Sequence, residues 1–317
     1  LLPAVPAVPA DPGRTQEATM HRTAAPLDRE QLAERLLRAS VRHSHDPLTE
    51  IAWDEPIDPG RPAMPPHRCS LYGTALWDSL GPQEQAALCT RQFAGLLTWT
   101  LWGELMLMEG LIRHVYDEDP ATRHAQYALT EVADECRHSI MFGRYLTLTG
   151  HPTQVGPAAR RLGRWLLRTN CVPLLLATTL FVEEFIEAAQ REVMRDESLQ
   201  PLARSVSRIH VIEEARHIGY ASAELRHSCR AFGPARRAAL AQALAVTCAF
   251  MVREAVPPRM YALAGLDARA AHRAAAANPH WHRATATWSR KAVALFRELG
   301  ILDRWSEPIW RRARLID

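Results

Sequence analysis

The fold of this chain is decided by the stretch His210–His217, which reads HVIEEARH. A related stretch, Glu131–His138, reads EVADECRH and lies earlier in the chain. Both contain a Glu and a His three residues apart, which on a helix lie on the same face, one turn from each other. A carboxylate and an imidazole aimed at one point supply half of a metal site. Each stretch therefore predicts a helix that contributes to such a site.

The partners of these two motifs lie at a matching distance along the chain. Glu104 is 31 residues before Glu135, and Glu183 is 31 residues before Glu214. Each spacing fits a helical hairpin folded near its middle, because a helix rises about 1.5 Å per residue and the returning helix brings the second Glu back to the level of the first. Two such hairpins predict a four-helix core that holds a dinuclear, carboxylate-bridged metal site, as in ferritin-like bundles. The metal ligands predicted in this way are Glu104, Glu135, His138, Glu183, Glu214 and His217.

A seventh ligand is predicted at His210, which lies four residues before Glu214 and so on the same helix face. The alternative is a core histidine that is merely hydrogen-bonded. For the six other residues, the alternative is a set of solvated charges, which predicts polar neighbours. However, Glu183 follows the apolar run 174–182, and Glu104 lies within the apolar run 101–108. A carboxylate in such surroundings is costly to ionise unless it is paired or bound to a metal.

The composition allows one large helical domain. The 317 residues are 47% hydrophobic with a net charge of +3, and they contain no continuous basic block, so nucleic-acid binding is not indicated. The six Cys form no C-x-x-C pair, which favours reduced thiols in a cytoplasm. No apolar run reaches the roughly 18 residues that a membrane helix needs. We expect a disordered Pro/Ala-rich arm at 1–26 and a single ferritin-like domain at 27–317.

The hydrophobic pattern predicts an all-α fold with flanking helices around the four-helix core, since alternating strand patterns are almost absent. Asp28 is a candidate N-cap for a helix to about Arg42, and the Pro-rich stretch 47–66 predicts a loop that wraps the bundle or forms a lid. Two more helical stretches are expected at 270–317. The further helices are predicted at 71–80, 83–116, 120–150, 157–168, 173–195, 201–232 and 235–256.

The ligand chemistry favours iron, with manganese as the alternative, because carboxylate-rich sites with few imidazoles suit these ions better than zinc or copper. Asp134 and Glu213 each precede a ligand Glu. We expect each to accept the second imidazole N–H of a ligand His on the facing helix. Arg137 and Arg216 are expected to pair with these carboxylates, although surface salt bridges are an equally good interpretation.

With His210 added to the paired motifs, the chain resembles the p-aminobenzoate N-oxygenase family, the ferritin-like diiron carboxylate arylamine oxygenases. The resemblance covers roughly residues 80–230, and all seven ligand types of that family are present. It implies two iron ions and dioxygen as co-substrate. It also implies oxidation of an aryl amine toward a hydroxylamine, nitroso or nitro product in a biosynthetic pathway, such as that of an antibiotic.

One departure bears on the substrate. Members acting on p-aminobenzoate hold its carboxylate with an Arg one to two turns before the first ligand Glu, but no Arg occurs between Arg91 and Arg113. We therefore expect a larger or less anionic amine. The pocket is predicted to be lined by Trp99, Thr98 and Thr100 and by Thr178, Thr179 and Leu180.

The partners follow from the same resemblance. The chain contains no nucleotide-binding glycine motif and no Cys cluster, so an external electron donor is expected. The amine could be tethered to an acidic carrier protein that docks on the basic stretch of Arg160, Arg161, Arg164 and Arg168. A solvated helix face is the simpler interpretation of that stretch. Exposed Trp and Leu on the added helices favour a homodimer.

Two other functions remain open at this point. One is a diiron oxygenase that inserts oxygen into a C–H bond, for which the same ligands would serve. The other is a metal-storing or ferroxidase-like protein without catalytic turnover, although the flanking helices and the Trp-rich tail argue against a minimal cage subunit.

Overall fold

The computed structural model describes residues 28–153, 155–169 and 171–316, which form thirteen α-helices and no strand. The Pro/Ala-rich arm predicted for 1–26 lies outside these residues, and the single domain at 27–317 stays a prediction. The helices are α1 Arg29–Arg42, α2 Pro47–Glu50, α3 Ala75–Asp78, α4 Pro82–Tyr116, α5 Arg123–Leu148, α6 Pro157–Arg168, α7 Val172–Val193, α8 Pro201–Arg230, α9 Pro234–Glu254, α10 Pro258–Leu263, α11 Ala268–Ala277, α12 Pro279–Glu298 and α13 Glu307–Arg312.

Four long helices form the centre of the bundle. Helix α4 packs along α5 and α7 packs along α8, and the two hairpins dock through α4 against α7 and α5 against α8. The all-α, ferritin-like class predicted from the sequence is confirmed. Helix α1 closes the α5–α8 side, whereas α12 covers α7.

The ends of the central helices follow from local capping. Helix α4 begins at Pro82, and the Glu84 carboxylate accepts a hydrogen bond from the Gly81 amide (2.7 Å). The prediction that the next helix starts at Pro120 is wrong by three residues. Helix α5 begins at Arg123, because the Thr122 hydroxyl accepts from the Ala125 amide (3.2 Å).

The stretch 47–66, predicted as a wrapping loop or lid, runs across the bundle as an ordered strap. The Gln200 amide at the start of α8 donates to the Pro62 carbonyl (3.0 Å). Further along, the Gln92 side chain on α4 accepts from the Ser70 amide (2.8 Å). Asn278, the cap of α12, donates to the Ser70 carbonyl (2.8 Å), so the segment that follows the strap is fixed to both the core and the tail.

The Trp-rich tail is mainly a core element. Trp281, Trp288 and Trp310 are buried, and the Trp288 ring packs edge-on against Phe185 of α7 at a centroid distance of 5.2 Å. Among the four tail Trp residues, Trp305 is the exposed one, at 66%. The tail therefore gives little support to the expected homodimer, which stays a prediction.

One stretch of the described chain, Pro234–Leu263, is long and apolar enough by composition to cross a membrane. It consists of α9 and α10, and 56% of its most apolar window is buried inside the protein. That burial favours a core helix.

The close approach of α4 and α7 gives a stability test at Gly110. A Cβ added there would lie 2.0 Å from Leu175 Cδ2, so the buried Leu175 side chain must leave its position. We expect Gly110→Ala to lower the free energy of unfolding by about 1–3 kcal/mol.

Gly143→Ala is the matched control, because nothing lies within 4 Å of its added Cβ. This helix-interior change should stabilise the protein by about 0.5–1 kcal/mol. Chemical denaturation of both variants measures the two effects, and a neutral or stabilising Gly110→Ala would contradict the packing argument.

Candidate metal centre

The structure brings all seven predicted ligands to one place inside the four-helix core. Each of these side chains is at most 3% exposed. Their donor atoms form three overlapping groups, within each of which all atoms lie within 4.8 Å of one another. The groups are Glu135, His138, Glu214 and His217; Glu104, His138 and His210; and Glu183, His210 and Glu214.

Several of these buried donor atoms have no hydrogen-bond partner, which is the main indication of a bound cation. One oxygen each of Glu104 and Glu214, both oxygens of Glu183 and both ring nitrogens of His210 are unpartnered. Buried polar atoms are nearly always satisfied in folded proteins. His210 Nε2 lies 3.6 Å from Glu104 Oε1 and 3.6 Å from Glu214 Oε2. These separations are too long for hydrogen bonds but fit donor atoms sharing a metal ion at about 2.1 Å.

The carboxylates around His210 are difficult to ionise in the absence of a cation. Burial, and after it the charge of Glu135, raises the pKa of Glu104 well above its usual value. Burial, followed by Glu214, does the same to the pKa of Glu183. The pKa of His210 lies well below its usual value because of burial and the nearby His138.

The other two imidazoles behave in the opposite way. Burial alone would lower the pKa of His138, but hydrogen bonds with Glu135 and Glu213 outweigh it and raise the pKa to about 10. Likewise, Glu135 and Glu214 outweigh burial and hold the pKa of His217 well above its usual value. The metal-free site thus neutralises its carboxylates with protons, which cations would displace on binding.

Two hydrogen bonds cross between the helix pairs and orient these imidazoles. His138 Nε2 donates to Glu213 Oε2 of α8 (2.8 Å), and His217 Nε2 donates to Asp134 Oδ2 of α5 (3.2 Å). Each Nδ1 therefore faces the carboxylates of the centre, where His217 Nδ1 lies 2.9 Å from Glu135 Oε1. A carboxylate on the outer imidazole nitrogen fixes both the tautomer and the ring orientation.

The two Arg residues of the motifs both contact Asp134. Arg137 donates to Asp134 Oδ1, and Arg216 Nη2 donates to Asp134 Oδ2 (3.2 Å). Arg216 Nη1 also donates to the His43 carbonyl at the end of α1 (3.1 Å). Burial tends to raise the pKa of Asp134, but its bond to His217 and the adjacent cations outweigh this and lower it.

Sequence reasoning missed three contributors to the site. The His45 amide donates to Glu213 Oε1 (2.8 Å), and the Ser139 hydroxyl donates to Glu104 Oε2 (2.8 Å). No local sequence signal identifies either contact. Glu131 is 1% exposed, and both its oxygens lack partners. Its position one turn before Glu135, matching His210 before Glu214, was the available signal.

The structure places one of the residues predicted to line a substrate pocket, but not the others, in the wall of an apolar cavity. Trp99 lines an apolar cavity of about 280 Å³ between α4, α6 and α9, together with Gly103, Met106 and Gly163. Thr98, Thr100, Thr178, Thr179 and Leu180 are buried but do not line this cavity. Gly103, in the wall of this cavity, immediately precedes Glu104 on α4.

The crossed hydrogen bonds generate a test at Glu213. Replacing it by Gln removes the carboxylate that accepts from His138 Nε2 and leaves a shape-matched amide. We expect Glu213→Gln to weaken metal affinity by about 10–100-fold, the usual effect of losing such a partner. Competition with a chelator of known affinity measures it.

Glu298→Gln is the matched control, since Glu298 lies on the exposed surface and pairs with Arg226. Equal metal affinity in wild type and Glu213→Gln would show that the crossed bond does not support a ligand.

Comparison with known proteins identifies the family of this chain. A family model described as P-aminobenzoate N-oxygenase AurF matches residues 26–300. Uncharacterized proteins of Mycobacterium tuberculosis and Mycobacterium bovis are 33% identical over 209 residues, or 60% of this chain. The match spans 58% of the length of each of these relatives. Because the family model covers most of the chain, including every residue of the candidate centre, the protein belongs to the p-aminobenzoate N-oxygenase AurF family.

Proposed function

We propose that the protein is a non-haem diiron N-oxygenase that uses dioxygen to oxidise an aryl amine toward a hydroxylamine, nitroso or nitro product. The supporting observation is the set of seven buried carboxylate and imidazole side chains whose donor atoms converge, several of them without a hydrogen-bond partner. Family membership supports the reaction class. The amine and the biosynthetic pathway are part of the proposal.

The donor set fits two iron ions, with manganese as the alternative, since four carboxylates and three imidazoles suit these metals. Glu135, His138, Glu214 and His217 form the larger of the three donor groups. Glu104, Glu183 and His210 complete the set, Glu104 in a group with His138 and His210 and Glu183 in a group with His210 and Glu214. When bound, the iron pair would supply the activation of dioxygen.

The role of the chain is to orient the ligands and exclude water. The ligand carboxylates lie among apolar residues of α4 and α7, such as Leu107, Val182 and Phe185, all at most 2% exposed. In this dry setting, electrostatic interactions are stronger than in water. The bond from Ser139 to Glu104 Oε2 leaves Oε1 of Glu104 facing His210.

The cavity beside α4 fits the approach of an aromatic amine. Its walls are mainly apolar, with Trp99, Trp102 and Met106 on α4 and Leu162 and Gly163 on α6. The Trp99 ring packs edge-on against Phe185, two residues after Glu183, at 5.5 Å. An aryl ring in this cavity would lie beside Trp99, which contacts the helix that carries Glu183.

Arg residues at the rim of the cavity could bind an anionic group of the substrate and so replace the Arg that α4 lacks before Glu104. Arg160 and Arg164 of α6 line the cavity, and Arg160 lies 5.8 Å from the centre of the Trp102 ring. A substrate carboxylate, or the phosphate of a carrier-tethered amine, could pair there. Arg161 and Arg168, also exposed on α6, extend the basic face for an acidic carrier.

The proposed function is tested by loading the purified protein with ferrous iron and supplying dioxygen, an aryl amine and a chemical reductant. We expect about two irons per chain and an N-oxygenated product. Glu183→Gln should lose metal and product together, whereas Glu298→Gln, an exposed change on α12, should keep both.

The other outcomes separate the alternatives. Hydroxylation of ring or aliphatic carbon in place of nitrogen would identify a C–H oxygenase. Iron uptake and oxidation without any organic product would favour the storage function. Metal-free protein after loading would overturn both the proposal and these alternatives.

The cavity is tested separately at Gly163, where an added Cβ would lie 2.9 Å from Met106 Sδ. A Leu side chain at position 163 would fill part of the cavity. We expect Gly163→Leu to raise KM for the amine at least about tenfold with unchanged iron content. Gly143→Leu on α5, where nothing lies within 4 Å of an added Cβ, should leave KM unaltered. An unchanged KM in Gly163→Leu would place the amine elsewhere.

A further inference from the structure

A second cavity, here named the α9–α13 cavity, is lined by residues of α9, α11, α12 and α13 and by Arg314. It has a volume of about 560 Å³ and contains none of the predicted metal ligands. On α9 its lining includes Val252 and Val256, whereas Phe250 and Met251 line the cavity beside α4. The α9–α13 cavity is therefore a separate space, and its size is typical of sites for small organic ligands.

Three Arg side chains surround the α9–α13 cavity without a counter-charge. Arg253, Arg312 and Arg314 are exposed and line it, and the described lining contains no Asp or Glu. Within the described part of the chain, none of these three side chains forms a hydrogen bond or an ion pair. Guanidinium groups around a concave surface repel one another, and an anion bound between them offsets this repulsion. The cavity therefore favours a negatively charged ligand.

Arg314 occupies a backbone position that normally favours glycine. Its φ is 60°, and it is the one non-glycine residue with a positive φ among the described residues. The Arg314 amide donates to the Arg311 carbonyl (3.0 Å), and the Leu315 amide donates to the Trp310 carbonyl (3.1 Å). This is a Schellman helix ending, in which glycine is the usual residue because it adopts a positive φ without strain. The helix ending itself does not call for an Arg, which indicates that this side chain serves the cavity.

Two half-buried imidazoles supply hydrogen-bond acceptors to the same cavity. His272 Nδ1 donates to the Val256 carbonyl (3.3 Å), and His282 Nε2 donates to the Ala276 carbonyl (2.9 Å). Since a carbonyl only accepts, these two nitrogens carry the ring protons. In a neutral ring the other nitrogen is then an acceptor. Such acceptors suit the hydroxyl or amino groups of a ligand.

The rest of the cavity wall is largely apolar. Val252, Val256 and Trp281 are buried side chains of the lining, and Ile309 is half-buried. The Trp281 ring packs edge-on against the Trp288 ring at a centroid distance of 5.7 Å, which holds it in place. A wall of aromatic and branched side chains favours contact with an apolar ring. An inorganic anion would use the Arg side chains but neither this wall nor the imidazole acceptors.

We propose that the α9–α13 cavity binds an organic phosphate of the nucleotide class. Its phosphate oxygens pair with the guanidinium groups of Arg253, Arg312 and Arg314, whose planar fork matches phosphate geometry. Its hydroxyl or amino groups donate to the imidazoles, and its ring packs beside Trp281. This site goes beyond the proposed function, and it exists whether or not the metal centre oxidises an amine.

The ligand class is tested by calorimetry on the full chain at about 0.15 M salt, where weak surface attraction is screened. ADP is the probe, and pyrophosphate and adenosine represent its two halves. We expect ADP to bind at least about tenfold more tightly than either half, because ADP alone offers both the charge and the ring. Absence of ADP binding would overturn the proposal. Equal affinity for ADP and pyrophosphate would also overturn it, since the cavity would then be a simple anion site.

The location is tested with the double variant Arg253→Gln and Arg312→Gln, which removes two cations from the lining. We expect the Kd for ADP to rise at least about tenfold, since charge-assisted hydrogen bonds are lost. The matched control is Arg283→Gln with Arg290→Gln, which removes the same charge from exposed positions of α12 outside the lining. It should keep the wild-type Kd. An equal loss in both double variants would reveal general attraction to basic surface and overturn the site.

Arg314→Gly separates binding from stability. It removes a guanidinium from the cavity and supplies the residue that the positive φ favours. We therefore expect an unchanged or higher Tm together with an ADP affinity weakened at least about threefold. A lower Tm with unchanged ADP affinity would show that Arg314 serves the fold alone and would overturn its place in the site. Iron content and product formation should not change in any of these variants, so failure of the proposed function leaves this test intact.

Discussion

Four carboxylates buried around a common point repel one another, and this repulsion is the constraint on which the rest of the structure depends. Glu104, Glu135, Glu183 and Glu214 are each at most 3% exposed, so water does not screen their charges. Without a metal, protons on His138 and His217 and on the least solvated carboxylates balance the charge. Neutral packing alone gives no reason to assemble such a set, whereas binding of metal cations does.

The sequence was sufficient to predict the fold and the convergence of the ligands because helices translate spacing directly into geometry. Two Glu-x-x-His motifs and two 31-residue separations define four helix faces and one common level. Two predicted helix starts are also confirmed: Asp28 is the N-cap of α1, and α6 begins at Pro157. The boundary at Pro120 failed because the cap at Thr122 decides where α5 begins.

Features built from distant segments could not be predicted in this way. The cavity lies between α4, α6 and α9, and the sequence does not specify how these helices pack against one another. Trp99 is therefore the one pocket residue predicted from the sequence that lines it. The covering of Glu213 by the His45 amide depends on a backbone group, which has no residue signature. Similarly, the equal motifs gave no sign that Asp134 lines a groove between α1 and α5.

The division of the ligands between two hairpins has a consequence for biosynthesis. Contacts within each hairpin are local in the chain and can form early, whereas docking of the hairpins joins distant residues and comes later. While the chain emerges from the ribosome, the α4–α5 hairpin presents only Glu104, Glu135 and His138. A nascent chain is therefore a poor trap for a metal ion, and the full set of seven side chains can be assembled only after the polypeptide that encloses it has been completed through α8.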